Sequence, residues 1–255
     1  MTSFFSKIFN KKTESIESST QKQPQHQLYV DIHSHLLPGI DDGSKAMFHS
    51  IKFVSAMQKL GYKKLIITPH IMSHRYKNSS KIILEKLEIL KDAIADHDID
   101  VTLEAASEYY LDDHFLSLLD KGDILTLHGK YVLFEMSYTR PPVDLEGIVF
   151  NMILAGYIPV LAHPERYIHM HSDFSQYTAL KEQGVLFQLN LNSLAGYYSK
   201  KVQNVAKKLV NKGMVDFLGS DIHKMQQIET LETVLKGPLL QKIFEKNKIL
   251  NNSFL

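Results

Sequence analysis

The chain has 255 residues, 44% of them hydrophobic and 22% charged, with 29 Lys and Arg against 28 Asp and Glu. That composition suits one barrel-sized α/β domain, and a formal charge of +1 argues against a dedicated nucleic-acid binder. The absence of cysteine excludes disulfides, thiolate metal sites and every cysteine-nucleophile mechanism. No apolar run reaches the length of a transmembrane helix, and the N-terminus lacks the layout of a signal peptide, so a cytoplasmic protein is expected.

In chain order, residues 10–27 are polar and almost without apolar side chains, which predicts a flexible leader over 1–27. Before them Phe4, Phe5, Ile8 and Phe9 would share one helical face, a loosely packed end or a small surface anchor. Residues 28–255 read as a single barrel. Seven short apolar or β-branched runs cover 28–33, 65–68, 101–107, 131–136, 158–162, 185–189 and 215–219. Helical periods lie between them: Met47, Ile51, Val54 and Met57; Ile83, Leu87, Leu90 and Ile94; and Val202, Val205 and Leu209, ending at Gly213. The stretch from Leu239 to Leu255 predicts a last helix and a short tail. Strands alternating with helices predict a parallel sheet with crossovers, and seven units favour a closed or nearly closed barrel.

The metal-capable residues fall at the ends of these runs. His33 and His35 end the first, with Asp41 and Asp42 in the loop behind; His70 follows the second, Glu108 the third, and Glu135 ends the fourth. His163 follows the fifth, and Asp221 and His223 follow the seventh. In a parallel barrel these ends open onto one rim, so six of seven runs deliver a nitrogen or oxygen donor to a single face. Alternate residues of a strand point the same way, about 6–7 Å apart, so both histidines of His33-Ser34-His35 can reach one ion. Taken singly, each residue has an ordinary reading: a packed histidine, or a turn at Asp42-Gly43 leading into a helix capped by Ser44. The shared location points to metal. Mixed His, Asp and Glu donors suit zinc, manganese or iron, and their number implies two or three ions, chemistry suited to phosphate-ester hydrolysis. Of 29 cationic residues only Arg75, Arg140 and Arg166 are arginines, all just past candidate ligands, where a guanidinium fork can hold phosphate. The other histidines read as solvated or packing residues, and most of the rim tyrosines as packing.

The run Asp31-Ile32-His33-Ser34-His35, followed by Pro38-Gly39-Ile40-Asp41-Asp42-Gly43, resembles the opening of the polymerase-and-histidinol-phosphatase (PHP) superfamily. With Thr68-Pro69-His70, Ser107-Glu108-Tyr109-Tyr110, Phe134-Glu135-Met136-Ser137, Ala162-His163-Pro164-Glu165-Arg166-Tyr167 and Ser220-Asp221-Ile222-His223, it is similar to the bacterial manganese-dependent protein-tyrosine phosphatases of capsule and exopolysaccharide operons, the CpsB/YwqE type. The resemblance implies a distorted seven-stranded (β/α)7 barrel and two or three divalent ions, manganese preferred, with iron or zinc as alternatives. One ion would take His33, His35, Glu108 and Asp221; a second Glu108, Glu135 and His163; a third Asp42, His70 and His223. Arg166 matches the phosphate-binding arginine. Some relatives carry another arginine after the final Asp-x-His, where this chain has Lys224-Met225-Gln226-Gln227, which leaves Lys224, Arg75 or Arg140 as substitutes. The implied activity is hydrolysis of phosphotyrosine by a metal-activated hydroxide, with Asp42, His70 or a metal-bound water as proton source. The implied partner is a tyrosine autokinase of polysaccharide export, through which the protein would sit peripherally at the inner membrane. Rival readings are a histidinol-phosphate or nucleotide phosphatase and a non-catalytic metal-binding scaffold. A cyclic-amide hydrolase would need a bridging lysine, and none stands at a strand end listed above.

Overall fold

A computed structural model describes residues 27–255. The leader expected over 1–27 therefore falls, but for Gln27, outside the described residues, as does the apolar turn at Phe4–Phe9.

The seven runs become nine short strands: β1 (Val30–Asp31), β2 (Lys64–Ile67), β3 (His70–Ile71), β4 (Thr102–Ala105), β5 (Glu108–Tyr110), β6 (Tyr131–Glu135), β7 (Ile158–Ala162), β8 (Leu186–Asn190) and β9 (Phe217–Gly219). The helices are α1 (Met47–Lys59), α2 (Ser80–Ala95), α3 (Asp113–Lys121), α4 (Leu145–Leu154), α5 (Ser175–Glu182), α6 (Leu191–Leu194), α7 (Lys200–Asn211), α8 (Gln226–Lys236) and α9 (Pro238–Lys246). The count exceeds seven because two short strands lie outside the predicted runs, β3 just past the second and β5 just past the third. Pro69 has no N–H to donate, and the ladder is interrupted there. All pairings are parallel, in the orders β1-β2-β4 and β3-β5-β6-β7-β8-β9. The Ala106 N–H donates to Ile67 O at 2.9 Å and the Glu108 N–H to Pro69 O at 3.1 Å, so the two sheets continue into one another across the break. At the other side the Asp221 N–H donates to His33 O at 2.8 Å and the His35 N–H to Ile222 O at 3.1 Å, beside a parallel bridge between Ser34 and Ile222. The result is a curled parallel sheet clothed by helices.

Period-2 alternation then sorts the side chains. On β6, Val132 and Phe134 pack with the helices, while Leu133 joins an inner cluster with Val30, Ile66, Val160 and Phe217. Glu135, two residues after Leu133, shares its face at the strand's C-terminal end. The chain's last turn plugs the opposite end: Phe254 packs in the inner cluster, and Asn251 donates to Val30 O and Leu218 O at 2.9 and 2.7 Å. Helix α2 buries Ile83, Leu87, Leu90 and Ile94, the expected face, and Ser79 caps it by accepting from the Ile82 N–H. Gly213, at φ +68°, follows α7 as expected. Helix α1 differs from expectation. It begins after Ala46, which makes no side-chain cap, and Ser44 lies two residues too early to reach its free N–H groups, bonding Ala46 O instead. Among the described residues, no helix is long and apolar enough to cross a membrane.

Candidate metal centre

The strand ends bring the nine predicted ligands together. His33 Nε2 and His35 Nε2 lie 3.3 Å apart; Glu108 Oε2 is 3.2 and 3.4 Å from them, and Asp221 Oδ1 is 3.6 and 3.5 Å away. Donors sharing one ion at about 2.1 Å sit about 3–3.5 Å apart, so this spacing is that of a coordination polyhedron. Toward the mouth, His70 Nδ1 is 3.0 Å from Glu135 Oε1 and 3.2 Å from Glu108 Oε2, and His70 Nε2 and His223 Nε2 are each 3.4 Å from Asp42 Oδ1. His163 Nε2 meets Glu108 Oε1 at 2.9 Å. His70 thus faces two donor groups, one through each ring nitrogen.

The hydrogen bonds behind the ligands explain why the inner four donors fit a cation. Gln188 donates through Nε2 to Asn190 Oδ1 at 3.0 Å, so its Oε1 accepts from His33 Nδ1 at 2.6 Å. The Asp41 carboxylate accepts from His35 Nδ1 at 2.8 Å. With the protons on Nδ1, both Nε2 atoms present lone pairs toward each other and toward two carboxylate oxygens. Four acceptors converging in a space closed to water need a positive charge between them. The outer donors carry the same mark. His70 Nδ1, Glu108 Oε2, Glu135 Oε1, Asp42 Oδ1 and His163 Nδ1 are buried without a hydrogen bond, although several lie within 3.4 Å of one another. The residues present therefore fit divalent ions.

Backbone geometry is committed to the same end. His163 and Asp221 adopt φ of +34° and +48°, the left-handed region that non-glycine residues rarely occupy, and both are candidate ligands. Gly43 and Gly219 let the chain close on the two histidines. A Cβ at Gly43 would stand 2.1 Å from His35 O, and one at Gly219 would stand 2.7 Å from His33 Cβ and 2.4 Å from Gln188 Nε2.

Electrostatics agree with the geometry. Burial disfavours the Glu108 and Asp221 anions, yet the surrounding imidazoles, and Arg166 beside Asp221, hold both below the usual carboxylate range. Burial likewise opposes a charged His35, but the Asp41 carboxylate lifts it to about 10. Farther back, burial pushes Asp31 up to about 6 against its bonds from Ser220, and Glu165 up to about 7 against its bond from Ser193.

A cavity of about 400 Å³ opens over the cluster. Arg166 reaches it with its guanidinium 4.6 Å from the Tyr138 ring centre and 4.3 Å from that of Tyr198, and Nη1 donates to Asp221 Oδ2 at 3.0 Å. The same oxygen accepts from Asn190 Nδ2 at 2.6 Å and the Tyr198 hydroxyl at 3.1 Å, which aims Oδ1 at the histidines. Arg75 and Lys224 also line the cavity, with Tyr76, Tyr197 and Met72 as its apolar wall. Arg140 is exposed and does not line it. Sequence reasoning missed Gln188 and Asn190, and read Tyr198 with the other rim tyrosines as packing. Gln188 lies on the sixth run, which carries no ligand, and Asn190 just past it; the one signal was the polar Gln188 within an apolar run.

The chain matches the family described as capsular polysaccharide synthesis, CpsB/CapC, over residues 29–234. It is 31% identical over 198 residues to the tyrosine-protein phosphatase YwqE of Bacillus subtilis, covering 77% of this chain and 78% of that one. Against the tyrosine-protein phosphatase CpsB of Streptococcus agalactiae it is 24% identical over 202 residues, covering 77% and 83%. A solved structure described as that of YwqE from Bacillus subtilis and CpsB from Streptococcus pneumoniae, metal-dependent tyrosine phosphatases, superimposes with a TM-score of 0.77 at 29% identity, covering 85% of this chain and 90% of the other. With aligned length, fold and strand-end cluster in agreement, the chain belongs to the CpsB/CapC family of capsular polysaccharide synthesis.

Proposed function

We propose that this protein is a metal-dependent protein-tyrosine phosphatase acting in capsule or exopolysaccharide synthesis. The observation that carries the reading is the convergence of two bare imidazole nitrogens and two carboxylate oxygens at 3.2–3.6 Å, with a buried-side arginine at its edge. His33, His35, Glu108 and Asp221 would hold one ion; Glu108, Glu135 and His163 a second; Asp42, His70 and His223 a third, with His70 shared toward Glu135. Manganese is the preferred ion. Divalent ions held there lower the pKa of bound water and draw charge from phosphate oxygens. The strand frame that delivers these groups reads as a distorted (β/α)7 barrel.

The chain's own residues do the rest. Arg166, stacked between Tyr138 and Tyr198, offers its fork to the phosphate without having to be ordered first. Arg75 and Lys224 supply further positive charge from across the cavity. Tyr76, Tyr197 and Met72 give the phenyl ring an apolar wall. The phenolate leaving group has a pKa of about 10, so it needs little acid help; Asp42 and His70 are the side chains we assign to it. Without cysteine, no thiophosphate intermediate forms. A cytoplasmic tyrosine autokinase of polysaccharide export is the substrate protein we assign.

The test is reconstitution. Chelated protein is returned to Mn²⁺, Zn²⁺ or Mg²⁺ and assayed on p-nitrophenyl phosphate and a phosphotyrosine peptide. Turnover of both with one of these ions supports the reading. Metal binding with no turnover of either would leave a metal-binding scaffold.

A further inference from the structure

Charge along the chain is divided unevenly. Residues 43–84 contain eight Lys and Arg and no Asp or Glu, whereas the rest of the chain has 21 against 28. This acid-free stretch runs from the loop before α1 through α1, β2 and β3 into α2; Arg75 in its last loop lines the cavity, whereas Lys64 starts β2 at the opposite end, bonded to Phe254 O and paired with Glu104. Among the described residues Lys52, Arg75, Lys77 and Lys224 make no ion pair. The first turn of α1 carries no acidic residue, so the helix's positive end adds to the same field.

A groove runs along α1, is lined by Phe48, Ile51, Lys52 and Ala56, and is bounded at its upper end by Met225. Met225 is 41% exposed and Phe48 62%, and the Lys52 ammonium lies 4.1 Å from the Phe48 ring centre. Met225 adjoins Lys224 in the chain, and Lys224 lines the cavity, so groove and cavity are neighbours at that point. The far end, at His97 and Ile99, is bordered by exposed Asp96, Asp98 and Asp100, which end the positive field there.

We infer that the upper half of this groove docks an acidic stretch of polypeptide flanking the phosphotyrosine, its apolar side chains on Phe48 and Met225 and its carboxylates on Lys52 and Lys224. The inference rests on the phosphatase reading for the position of the phosphotyrosine. The occupant follows from charge: a substrate already anionic at its phosphate enters past unneutralised cations, and its continuation meets no acidic side chain before Asp96. From Phe48 to Lys52 the helix rises about 6 Å, the reach of about two extended residues, so a short flank suffices.

The test uses full-length, metal-loaded protein and three phosphotyrosine peptides alike except for a flank of Glu, Ser or Lys. The Glu flank is expected to lower KM about fivefold to tenfold relative to the Lys flank with kcat unchanged, and high salt should erase the difference. Lys52→Glu should abolish most of the preference while leaving p-nitrophenyl phosphate hydrolysis at the wild-type rate. Equal KM for all three flanks, or a preference untouched by both Lys52→Glu and Phe48→Ser, overturns the inference. Fluorescence anisotropy with the same peptides carrying a non-hydrolysable phosphonate reads docking independently. Inert protein that still ranks the flanks would defeat the phosphatase reading alone, whereas active protein that does not rank them would defeat the groove alone.

Discussion

The inner and outer halves of the cluster are built differently. His33, His35, Glu108 and Asp221 have side chains at most 2% exposed, whereas those of His70, His223 and Asp42 are 10, 19 and 42% exposed. The inner imidazoles are oriented by Gln188 and Asp41, and Asp221 is gripped by three donors on one oxygen. His223 leans on a backbone carbonyl at 3.1 Å, and Asp42 Oδ1 has no hydrogen bond. The lesson is one of preorganisation: the inner half is fixed before an ion arrives, while the outer half faces the cavity and can adjust to an ion and to substrate.

The largest expected effect breaks the inner half. His35→Ala should remove the inner ion and lower turnover by about three orders of magnitude or more, with metal content by elemental analysis falling in parallel. Retention of both would show that the outer half works alone. Next comes Arg166→Ala, expected to keep its metal but lose about two to three orders in kcat/KM, as for other transition-state donors. An unaffected rate would remove Arg166 from the chemistry. Gln188→Leu sharpens the comparison, because it substitutes no ligand but removes the acceptor of the His33 ring and of the His163 N–H, and the donor to Asn190. Metal affinity by calorimetry should weaken about tenfold to a hundredfold. The effect that bears least on turnover concerns pH. Burial raises Glu165 to about 7 from an ordinary 4.5, so its ionisation penalises the folded state as pH rises from about 4.5 through 7. Stability contributed by the protonated form is present below that window and lost above it. Glu165→Gln has no such loss, so its Tm should gain on the wild type between pH 5 and pH 8, by up to roughly 3 kcal/mol in stability.

The candidate ligands were legible in the sequence because they stand at or just past strand ends. A parallel sheet collects its strand ends at one rim, so residues scattered from His33 to His223 needed only the alternation of runs and helices to be brought together. Helix α2 was legible for the same kind of reason, a clean 3.6-residue period with Ser79 ahead of it. What escaped depended on three-dimensional neighbours. Nothing local shows that Gln188 faces His33 across 155 positions, or that Tyr138 and Tyr198 would flank Arg166. Pro69 was visible as a residue, but the short strand β3 beyond it depends on pairing with β5, thirty-eight positions on. The start of α1 was misplaced because Ser44 looks like a cap, whereas its hydroxyl is taken up by Ala46 O and Ser50 Oγ. The sharing of His70 between two donor groups required coordinates, since spacing in the chain says nothing about which ring nitrogen faces which carboxylate.

The most direct measurement is anomalous diffraction from crystals of the protein soaked in Mn²⁺. The account predicts a strong peak enclosed by His33 Nε2, His35 Nε2, Glu108 Oε2 and Asp221 Oδ1, with weaker density toward His70 and Asp42. A fully occupied soak with no peak among those four atoms would contradict it.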